Sequence, residues 1–251
     1  MRIVVVGGTG LIGSALVASL REAGHDAVPA SPSTGVDTLS GAGVAEALAG
    51  ASVVVDVTNS PSFEDGPVLD FFTRSTRTLL AAERAAGVGH HVALSIVGTD
   101  RVPGSGYLRA KTAQEELIRA GGVPFTIVRA TQFFEFLGAI AAGSTQDGAV
   151  VLSTADLQPV AAADVSATLA EVAVGAPRDG HLDLAGPDRR PFADFVRPVL
   201  AAQHDERPVT STADTPYFGA VLDRDALVPT GAARIAPTGF EEWLAKRSAR
   251  V

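Results

Sequence analysis

Hydrophobic and polar positions in the first half of the chain alternate between two periods. Continuous apolar runs, typical of strands buried on both faces, occupy residues 3–6, 53–57, 91–95 and 125–129. Between them, apolar residues recur every three or four positions, which predicts helices at residues 14–23, 44–48, 68–86 and 111–120. A shorter strand is predicted at residues 27–30, where Pro29 interrupts the pattern. This alternation is typical of the α/β class, a parallel sheet wrapped by helices.

The pattern becomes looser after about residue 130. Strands are predicted at residues 150–152 and 181–184, a helix at 164–174, and an amphipathic segment at 240–247. Asp164 is predicted to cap the start of the helix at 164–174. Phe133, Phe134 and Phe136 follow a strand and are open to two interpretations, an apolar substrate wall or plain core. We therefore predict a core over residues 1–130 and, over residues 131–251, the last core elements interleaved with a small lobe.

Composition and charge exclude several classes of protein. The chain has 251 residues, of which 46% are hydrophobic, so it can bury a full core. A net charge of -8 argues against nucleic acid or an anionic membrane surface as the partner, since both require a basic face. The absence of cysteine excludes disulfides and thiolate catalysis. Neither a signal peptide nor a membrane span is predicted, and we expect a cytoplasmic protein.

The first strand ends in a glycine-rich segment that opens a helix, GGTGLIG, with glycines at Gly7, Gly10 and Gly13. Gly7 is expected to permit the turn, Gly10 to let the backbone approach a pyrophosphate, and Gly13 to let the helix pack closely. The pyrophosphate would meet free N–H groups at the helix N-terminus, with Thr9 as an additional hydroxyl donor. Strand–turn–helix context favours a dinucleotide site over a glycine-rich turn without a ligand.

The end of the second strand bears on which dinucleotide is bound. NAD enzymes of this kind carry an acidic residue there, which holds the ribose 2′-hydroxyl. Here the segment from Ser31 reads SPSTG, and the nearest carboxylates, Asp26 and Asp37, lie before and well after it. Hydroxyls of Ser31 and Ser33 can hydrogen-bond a 2′-phosphate that a carboxylate would repel. We therefore predict NADP as the cofactor, with NAD as the alternative.

A second constellation combines Tyr107 and Lys111 in a YxxxK pattern with Ser95, twelve residues upstream of the tyrosine. Residues four apart share a helix face, so phenol and ammonium can point at one spot. A ketone that accepts hydride needs a proton, which Tyr107 can donate, and the ammonium of Lys111 is expected to lower the pKa of Tyr107. Lys111 is also expected to hold the nicotinamide ribose, and Ser95 the substrate oxygen. The alternative is an exposed pair without a catalytic role.

Four segments, GGTGLIG, ALSIVG, YLRAK and TIVRATQFFEF, together resemble the short-chain dehydrogenase/reductase superfamily, in particular its atypical extended, NmrA-like NAD(P)-binding branch. The resemblance is strongest over residues 1–137. It implies a Rossmann-type doubly wound parallel sheet with a small C-terminal substrate lobe. It also implies cofactor contacts from Gly7, Thr9, Gly10, Leu11, Ile12, Ser31, Thr58 and Asn59. Leu11 departs from the pattern, since many NADP-binding relatives carry a basic residue near this turn.

The leading hypothesis is an NADP(H)-dependent oxidoreductase that reduces a small carbonyl or quinone-like compound, because Ser95, Tyr107 and Lys111 are all present. The alternative is a non-catalytic NAD(P)-binding redox sensor, which needs only the glycine site. Epimerase or dehydratase chemistry with tightly held NAD is a third interpretation, and it normally needs more basic residues in the lobe. The expected partner is a small-molecule substrate, and the chain is expected to be a monomer or homodimer. His90 and His91 are predicted to be a solvated strand edge, without metal-ligand spacing.

Overall fold

The computed structural model of the chain describes residues 1–248. Its strands are β1 (Arg2–Val6), β2 (Asp26–Ala30), β3 (Val53–Asp56), β4 (His90–Ile96), β5 (Phe125–Ala130), β6 (Thr145–Gln146), β7 (Ala149–Ser153), β8 (Asp156–Leu157), β9 (Gly180–Ala185), β10 (Arg190–Pro191), β11 (Val209–Thr212) and β12 (Arg234–Ile235). Its α-helices are α1 (Leu11–Glu22), α2 (Val44–Leu48), α3 (Asp65–Ala86), α4 (Gly106–Ala120), α5 (Leu137–Gly143), α6 (Ala162–Val174), α7 (Phe192–Ala202) and α8 (Phe240–Ser248). No helix among these residues is long and apolar enough to cross a membrane.

The main sheet has seven strands in the order β12-β9-β5-β4-β3-β1-β2, and β1 pairs in parallel with both β2 and β3. This arrangement confirms the predicted Rossmann-type parallel sheet. The chain runs from β1 outward to β2 and then returns to β3 on the other side of β1. Ligands of such sheets bind beyond the carboxyl ends of the strands at the point where the order reverses. The candidate site is therefore expected at the ends of β1, β2 and β3.

β2 continues through Pro29 even though proline cannot donate a backbone hydrogen bond. Pro29 pairs in register with Val5 of β1, and β2 is the last strand of the sheet on its side. An edge strand tolerates proline because one side of its backbone has no ladder to complete. The interruption predicted at this position is therefore absent.

The chain divides into two compact units. The first comprises Met1–Ser95, Gly106–Arg129 and Val165–Leu182, and the second comprises Ile96–Ser105, Ala130–Asp164 and Asp183–Val251. Valine and leucine side chains of β1, β3 and α3 form a core in the first unit: Val4, Val6, Val54, Leu79 and Leu80. The sequence boundary at residue 130 and the substrate-binding role of the later part stay predictions.

Aromatic side chains form much of the core of the second unit. Phe134 is fully buried against Phe240 and Trp243. Phe133 is half-buried and stacks on Phe136, whose side chain is 46% exposed. Phe134 is therefore part of the core, whereas Phe136 is accessible, as an apolar substrate wall would require.

Four helices begin earlier than the sequence pattern predicts. α1 begins at Leu11, α3 at Asp65, α4 at Gly106 and α6 at Ala162. Asp164 consequently lies inside the first turn of α6, and its Oδ2 accepts a hydrogen bond from the backbone N–H of Thr238 at 3.1 Å. The predicted N-cap role of Asp164 is wrong, because its carboxylate holds a different segment.

Candidate functional site

Gly7 and Gly13 shape the turn that joins β1 to α1. Gly7 has a φ of +83°, in the left-handed region that favours glycine. A Cβ atom on Gly13 would lie 2.2 Å from the carbonyl oxygen of Gly7, so α1 contacts this turn as closely as only glycine allows. Gly10 differs, because it has an ordinary extended φ of -81° and its Cβ would meet only the Gly7 oxygen, at 3.4 Å. The fold therefore does not itself require glycine at position 10.

The N-terminus of α1 is built to receive an anion. No side chain caps it, and the first helical bond runs from the N–H of Ser14 to the carbonyl of Gly10 at 2.9 Å. The first-turn N–H groups, from Leu11, Ile12 and Gly13, precede any intrahelical partner. These donors lie at the positive end of the helix dipole, and the exposed Gly10 adds no side chain in front of them. The arrangement fits the diphosphate of a dinucleotide.

Hydroxyl groups gather beyond the end of β2. Thr9 Oγ1 donates to Ser31 Oγ at 3.1 Å, and the hydroxyls of Ser31 and Ser33 are 2.9 Å apart. Ser31 is buried, whereas Thr9 and Ser33 are exposed. The two neighbouring carboxylates are held elsewhere, Asp26 by Arg2 at 2.8 Å and Asp37 by the hydroxyl of Ser40 at 2.7 Å. The structure thus brings together the hydroxyls that the sequence predicted for the 2′-position.

The segment after β3 is fixed to α4. Asp56, the last residue of β3, is buried, and its Oδ1 accepts hydrogen bonds from the N–H of Thr58 at 2.9 Å and its hydroxyl at 2.7 Å. The next residue, Asn59, is exposed, and its Oδ1 accepts the phenol of Tyr107 at 3.0 Å. Two predicted groups, the strand tip Thr58-Asn59 and Tyr107, therefore lie in one place.

A close approach of two helix ends sets the position of Tyr107 at the start of α4. Asp65, the first residue of α3, accepts a hydrogen bond from Arg109 at 2.6 Å. A Cβ on Gly106 would lie 1.8 Å from Asp65 Oδ1, so any larger residue at this position would displace the Asp65 carboxylate. The ring of Tyr107 packs edge-on against Phe63, which is 49% exposed, with centroids 5.2 Å apart.

The phenol of Tyr107 is held in its protonated form. Burial raises the pKa of Tyr107 to about 12, and the hydrogen bond to Asn59 opposes this only in part. The expectation that Lys111 lowers the pKa of Tyr107 is therefore wrong. The ammonium of Lys111 is bound instead by the carbonyl of Leu94, at 2.8 Å, and by Oε1 of Gln114.

Lys111 is itself buried, with its Nζ 4.5 Å from the centre of the Phe72 ring. Burial lowers the pKa of Lys111 to about 8, while the charges of Asp56 and Glu115 act in the opposite direction. At neutral pH the side chain is predominantly a cation. Because its pKa lies near the working range, modest changes in its surroundings will change its charge.

Ser95 lies in a buried ionic network rather than at an open surface. Its hydroxyl donates to Glu115 Oε1 at 2.7 Å, and Arg129 binds the same carboxylate at 2.9 and 2.6 Å. Although burial raises the pKa of Glu115, the hydrogen bonds from Arg129 and Ser95 hold it below its usual range. The one proton of the Ser95 hydroxyl is committed to Glu115. A hydrogen bond from Ser95 to a substrate oxygen would require this hydroxyl to turn away from Glu115, so that role stays a prediction.

The two neighbouring histidines correct another expectation. His90 and His91 are both buried, because β4 lies inside the sheet between β3 and β5. His91 Nδ1 lies 2.8 Å from Glu83 Oε1, and His90 Nε2 lies 2.9 Å from Thr126 Oγ1. The predicted solvated edge is wrong. Among residues 1–248, no group of three histidine or acidic side chains is placed to hold a metal ion.

Sequence reasoning missed two members of the site, Asp56 and Gln114. Gln114 Nε2 donates to Asp56 Oδ2 at 3.0 Å, and the same amide accepts from Lys111. Asp56 did carry a signal, because it is the one polar residue in the apolar run VVVDV of a strand buried on both faces. Gln114 carried none, because a glutamine in an amphipathic helix ordinarily faces solvent.

Comparisons with known proteins agree with this geometry. Residues 7–174 match the NAD(P)H-binding family. Among solved structures, MoeE5 in complex with UDP-glucuronic acid and NAD is 20% identical, with a TM-score of 0.75 over 100% of this chain and 99% of that one. The Thermus thermophilus UDP-glucose 4-epimerase complex with NAD is 19% identical, with a TM-score of 0.69 over 90% and 92% of the two chains.

A third solved structure is the NADPH-dependent quinone oxidoreductase QOR2 from Escherichia coli. It is 16% identical, with a TM-score of 0.68 over 98% of this chain and 99% of that chain. None of the curated proteins matches the sequence significantly. The solved structures share the fold, and the family match spans well over half of the chain. The chain therefore belongs to the NAD(P)H-binding family, and it has the fold that these solved structures share.

Proposed function

We propose that the chain is an NADP(H)-dependent reductase of a small carbonyl or quinone-like compound. The observation that carries this proposal is Tyr107, a phenol fixed on Asn59 beyond the end of β3 with a pKa of about 12. A group with such a pKa is protonated throughout the physiological range, so it carries a proton that an alkoxide, a much stronger base, would accept. Hydride transfer to a carbonyl carbon leaves negative charge on the oxygen, which is where that proton is needed.

Each residue has a stated part in this reaction. The nicotinamide coenzyme, when bound, supplies the hydride. Tyr107 donates its phenolic proton to the substrate oxygen and regains a proton from water. The ammonium of Lys111, one helical turn away, would donate a hydrogen bond to the ribose of the bound coenzyme. Ser95 supports the site indirectly, through Glu115 and Arg129.

The net charge of the chain bears on the class of partner it can bind. We propose a small-molecule substrate, with neither nucleic acid nor membrane as a partner, because the net charge is -8. The protein is proposed to act in the cytoplasm as a monomer or homodimer.

The hydroxyl cluster beyond β2 supports NADP over NAD. Ser31→Asp places a carboxylate between Thr9 and Ser33, where it repels a 2′-phosphate and can accept the 2′-hydroxyl of NAD. We expect the variant to reverse the preference, measured as the ratio of the two dissociation constants by calorimetry. Ser40→Asp, on the same surface segment but bonded to Asp37, is the matched control. An unmodified protein that prefers NAD by about tenfold or more contradicts the assignment.

A substrate screen tests the reductase proposal directly. The purified protein is mixed with NADPH and a panel of quinones, ketones and aldehydes, and oxidation is followed by loss of the nicotinamide absorbance. We expect at least one class to be reduced at a rate that scales with protein concentration. Tight binding of NADPH without any reduction overturns the proposal.

The second candidate is a redox sensor that binds NAD(P) without turnover. It is favoured by one observation, the commitment of the Ser95 hydroxyl to a buried carboxylate. A sensor responds to cofactor occupancy or redox state by changing its conformation or its partners. Protection of backbone amides from hydrogen exchange that differs between NADP and NADPH, together with a negative screen, supports this candidate.

A further inference from the structure

A buried chain of hydrogen bonds joins the ends of β3 and β4 to α4. Lys111 donates to the carbonyl of Leu94 at 2.8 Å and to Gln114 Oε1. Gln114 Nε2 in turn donates to Asp56 Oδ2 at 3.0 Å. Lys111 is 3% exposed, and Gln114 and Asp56 are each 1% exposed. One neutral amide therefore bridges a buried cation and a buried anion.

Electrostatics fixes the orientation of this amide. Its oxygen faces the ammonium of Lys111 and its NH₂ group faces the carboxylate of Asp56. The reverse orientation would set donor against donor and acceptor against acceptor at both ends. The other oxygen of Asp56 holds the N–H and hydroxyl of Thr58. The bridge consequently connects the segment after β3 with Lys111.

The surroundings of Lys111 leave it one unused donor. An ammonium has three N–H groups, of which two are bound by Leu94 and Gln114. Within residues 1–248 the third has no hydrogen-bond partner. Charged groups near it are Asp56 from β3 and Glu115 from α4, whereas α3 contributes the uncharged ring of Phe72.

We propose, building on the reductase function proposed above, that Gln114 is a positioning residue that works together with Asp56. Its amide holds the ammonium of Lys111 against the carbonyl of Leu94, so that the third N–H is kept for a hydroxyl of the cofactor or substrate. The YxxxK pattern alone does not place the lysine. A buried acceptor three residues after it completes the arrangement.

The test uses the low lysine content of the chain. Only Lys111 and Lys246 are present, so protein labelled with ¹³C at lysine Cε gives two assignable NMR signals, and the exposed Lys246 is the internal reference. Gln114→Met removes an acceptor of a charged hydrogen bond and is expected to lower the pKa of Lys111 by about one pH unit. Gln114→Glu keeps the shape, and a proton shared with Asp56 replaces the amide N–H as the link to that carboxylate. Its other oxygen, facing Lys111, then carries negative charge in place of the neutral amide oxygen, so the pKa of Lys111 is expected to rise. The expected signature is a pair of shifts of opposite sign.

A matched control separates positioning from general damage to α4. Thr112→Val removes a hydroxyl of the same helix that donates to the carbonyl of Leu108 at 3.1 Å, and it is expected to leave the Lys111 titration unchanged. Loss of packing alone would affect both Gln114 variants in the same direction. The proposal is overturned if the pKa of Lys111 shifts in the same direction in both Gln114 variants, or in neither. If Gln114→Met does not fold, the near-isosteric Gln114→Glu alone tests the proposal, by whether it raises that pKa.

A second readout is cofactor affinity. Gln114→Met is expected to weaken NADPH binding by about tenfold, because the donor of Lys111 is no longer held in place. In the kinetic assay, the midpoint of the pH profile is expected to move with the NMR titration in each variant. If the two titrations shift in opposite directions but no compound is reduced, the reductase proposal fails while the role of Gln114 stands. If the titrations are unchanged while a compound is reduced, the role of Gln114 fails and the reductase proposal stands.

Discussion

Tyr107 and Lys111 lie one turn apart on α4, yet burial acts on them in opposite directions. It raises the pKa of the phenol to about 12 and lowers that of the ammonium to about 8. Both shifts favour the neutral form of the group, as desolvation does in general. The phenol is therefore a proton donor at every working pH, and Lys111 is the group whose charge varies near neutrality. Activity is expected to fall at high pH as Lys111 loses its charge.

A substitution at Gly10 can test cofactor binding without disturbing the fold of the glycine turn. Its Cβ would meet only the Gly7 oxygen at 3.4 Å, so Gly10→Val is expected to fold normally while its side chain blocks the approach of a diphosphate. We expect NADP affinity, measured by calorimetry, to fall by more than about tenfold with an unchanged melting temperature. Gly13→Ala is the contrasting variant, because its Cβ would lie 2.2 Å from the same oxygen and must distort the turn. Equal NADP binding by Gly10→Val and the parent protein contradicts the site assignment.

At the scale of the elements, one face of β4 carries a buried polar side chain near each end of the strand. Near its start His91 pairs with Glu83 of α3, and near its end Ser95 bonds to Glu115 of α4. Both helices are thereby attached to the strand by buried polar contacts in addition to apolar packing. Buried pairs of this kind specify how an element sits, because removing one partner leaves an uncompensated group.

The contact between β4 and α3 predicts a pH-dependent stability. Burial opposes protonation of His91, but the charge and hydrogen bond of Glu83, with a contribution from Asp56, raise the pKa of His91 above 6.5. Its stabilisation is thus complete below pH 6.5 and is lost as pH rises through the raised value. Burial lowers the pKa of His90, so its effect has the opposite sign and appears as pH falls through 6.5, where the unfolded chain takes up a proton that the folded side chain does not.

Urea unfolding at several pH values measures this effect as a difference between two proteins. Glu83→Gln keeps the shape of the side chain but removes the charge that raises the pKa of His91. The difference in free energy of unfolding between parent and variant is expected to shrink as pH rises above 6.5, with a slope of at most about 1.4 kcal/mol per pH unit. A difference that stays constant from pH 6 to 9 shows that His91 is not charged in the folded protein.

Comparison of the helices with the sequence pattern shows which helix bounds can be predicted from periodicity and which cannot. Strong periodicity placed α2 at Val44–Leu48 and the end of α3 at Ala86. The first turn of α4 was missed because it begins with Gly106, a residue that is unfavourable inside a helix. α7 was overlooked because Pro198 lies inside it, although its buried residues follow a helical period: Phe192, Phe195, Val196, Val199 and Leu200.

At the scale of the whole molecule, the fold was more predictable than the site. Alternating strands and helices specify a Rossmann-type sheet, because few arrangements bury such a pattern. The glycine turn and the hydroxyl cluster are local in sequence and were found from it. The hydrogen bonds of Ser95, Gln114 and Asp56 could not be found from the sequence, because the two partners of each bond lie on different elements. A polar residue on a helix also gives no sign in the sequence that it is buried. Family membership identifies the cofactor class, and the site residues must identify the reaction.

The central claim is that Tyr107 donates the proton in an NADPH-dependent reduction, and one substitution tests it most directly. Tyr107→Phe removes one O–H, the donor to Asn59, with little change in volume. Steady-state turnover at saturating NADPH, on a substrate from the screen, is expected to fall by about 10²–10⁴-fold while the dissociation constant of NADPH stays the same. Phe63→Leu, a change to the ring that packs on Tyr107, is the control for altered packing and is expected to retain most of the turnover rate. Full turnover by Tyr107→Phe contradicts the claim.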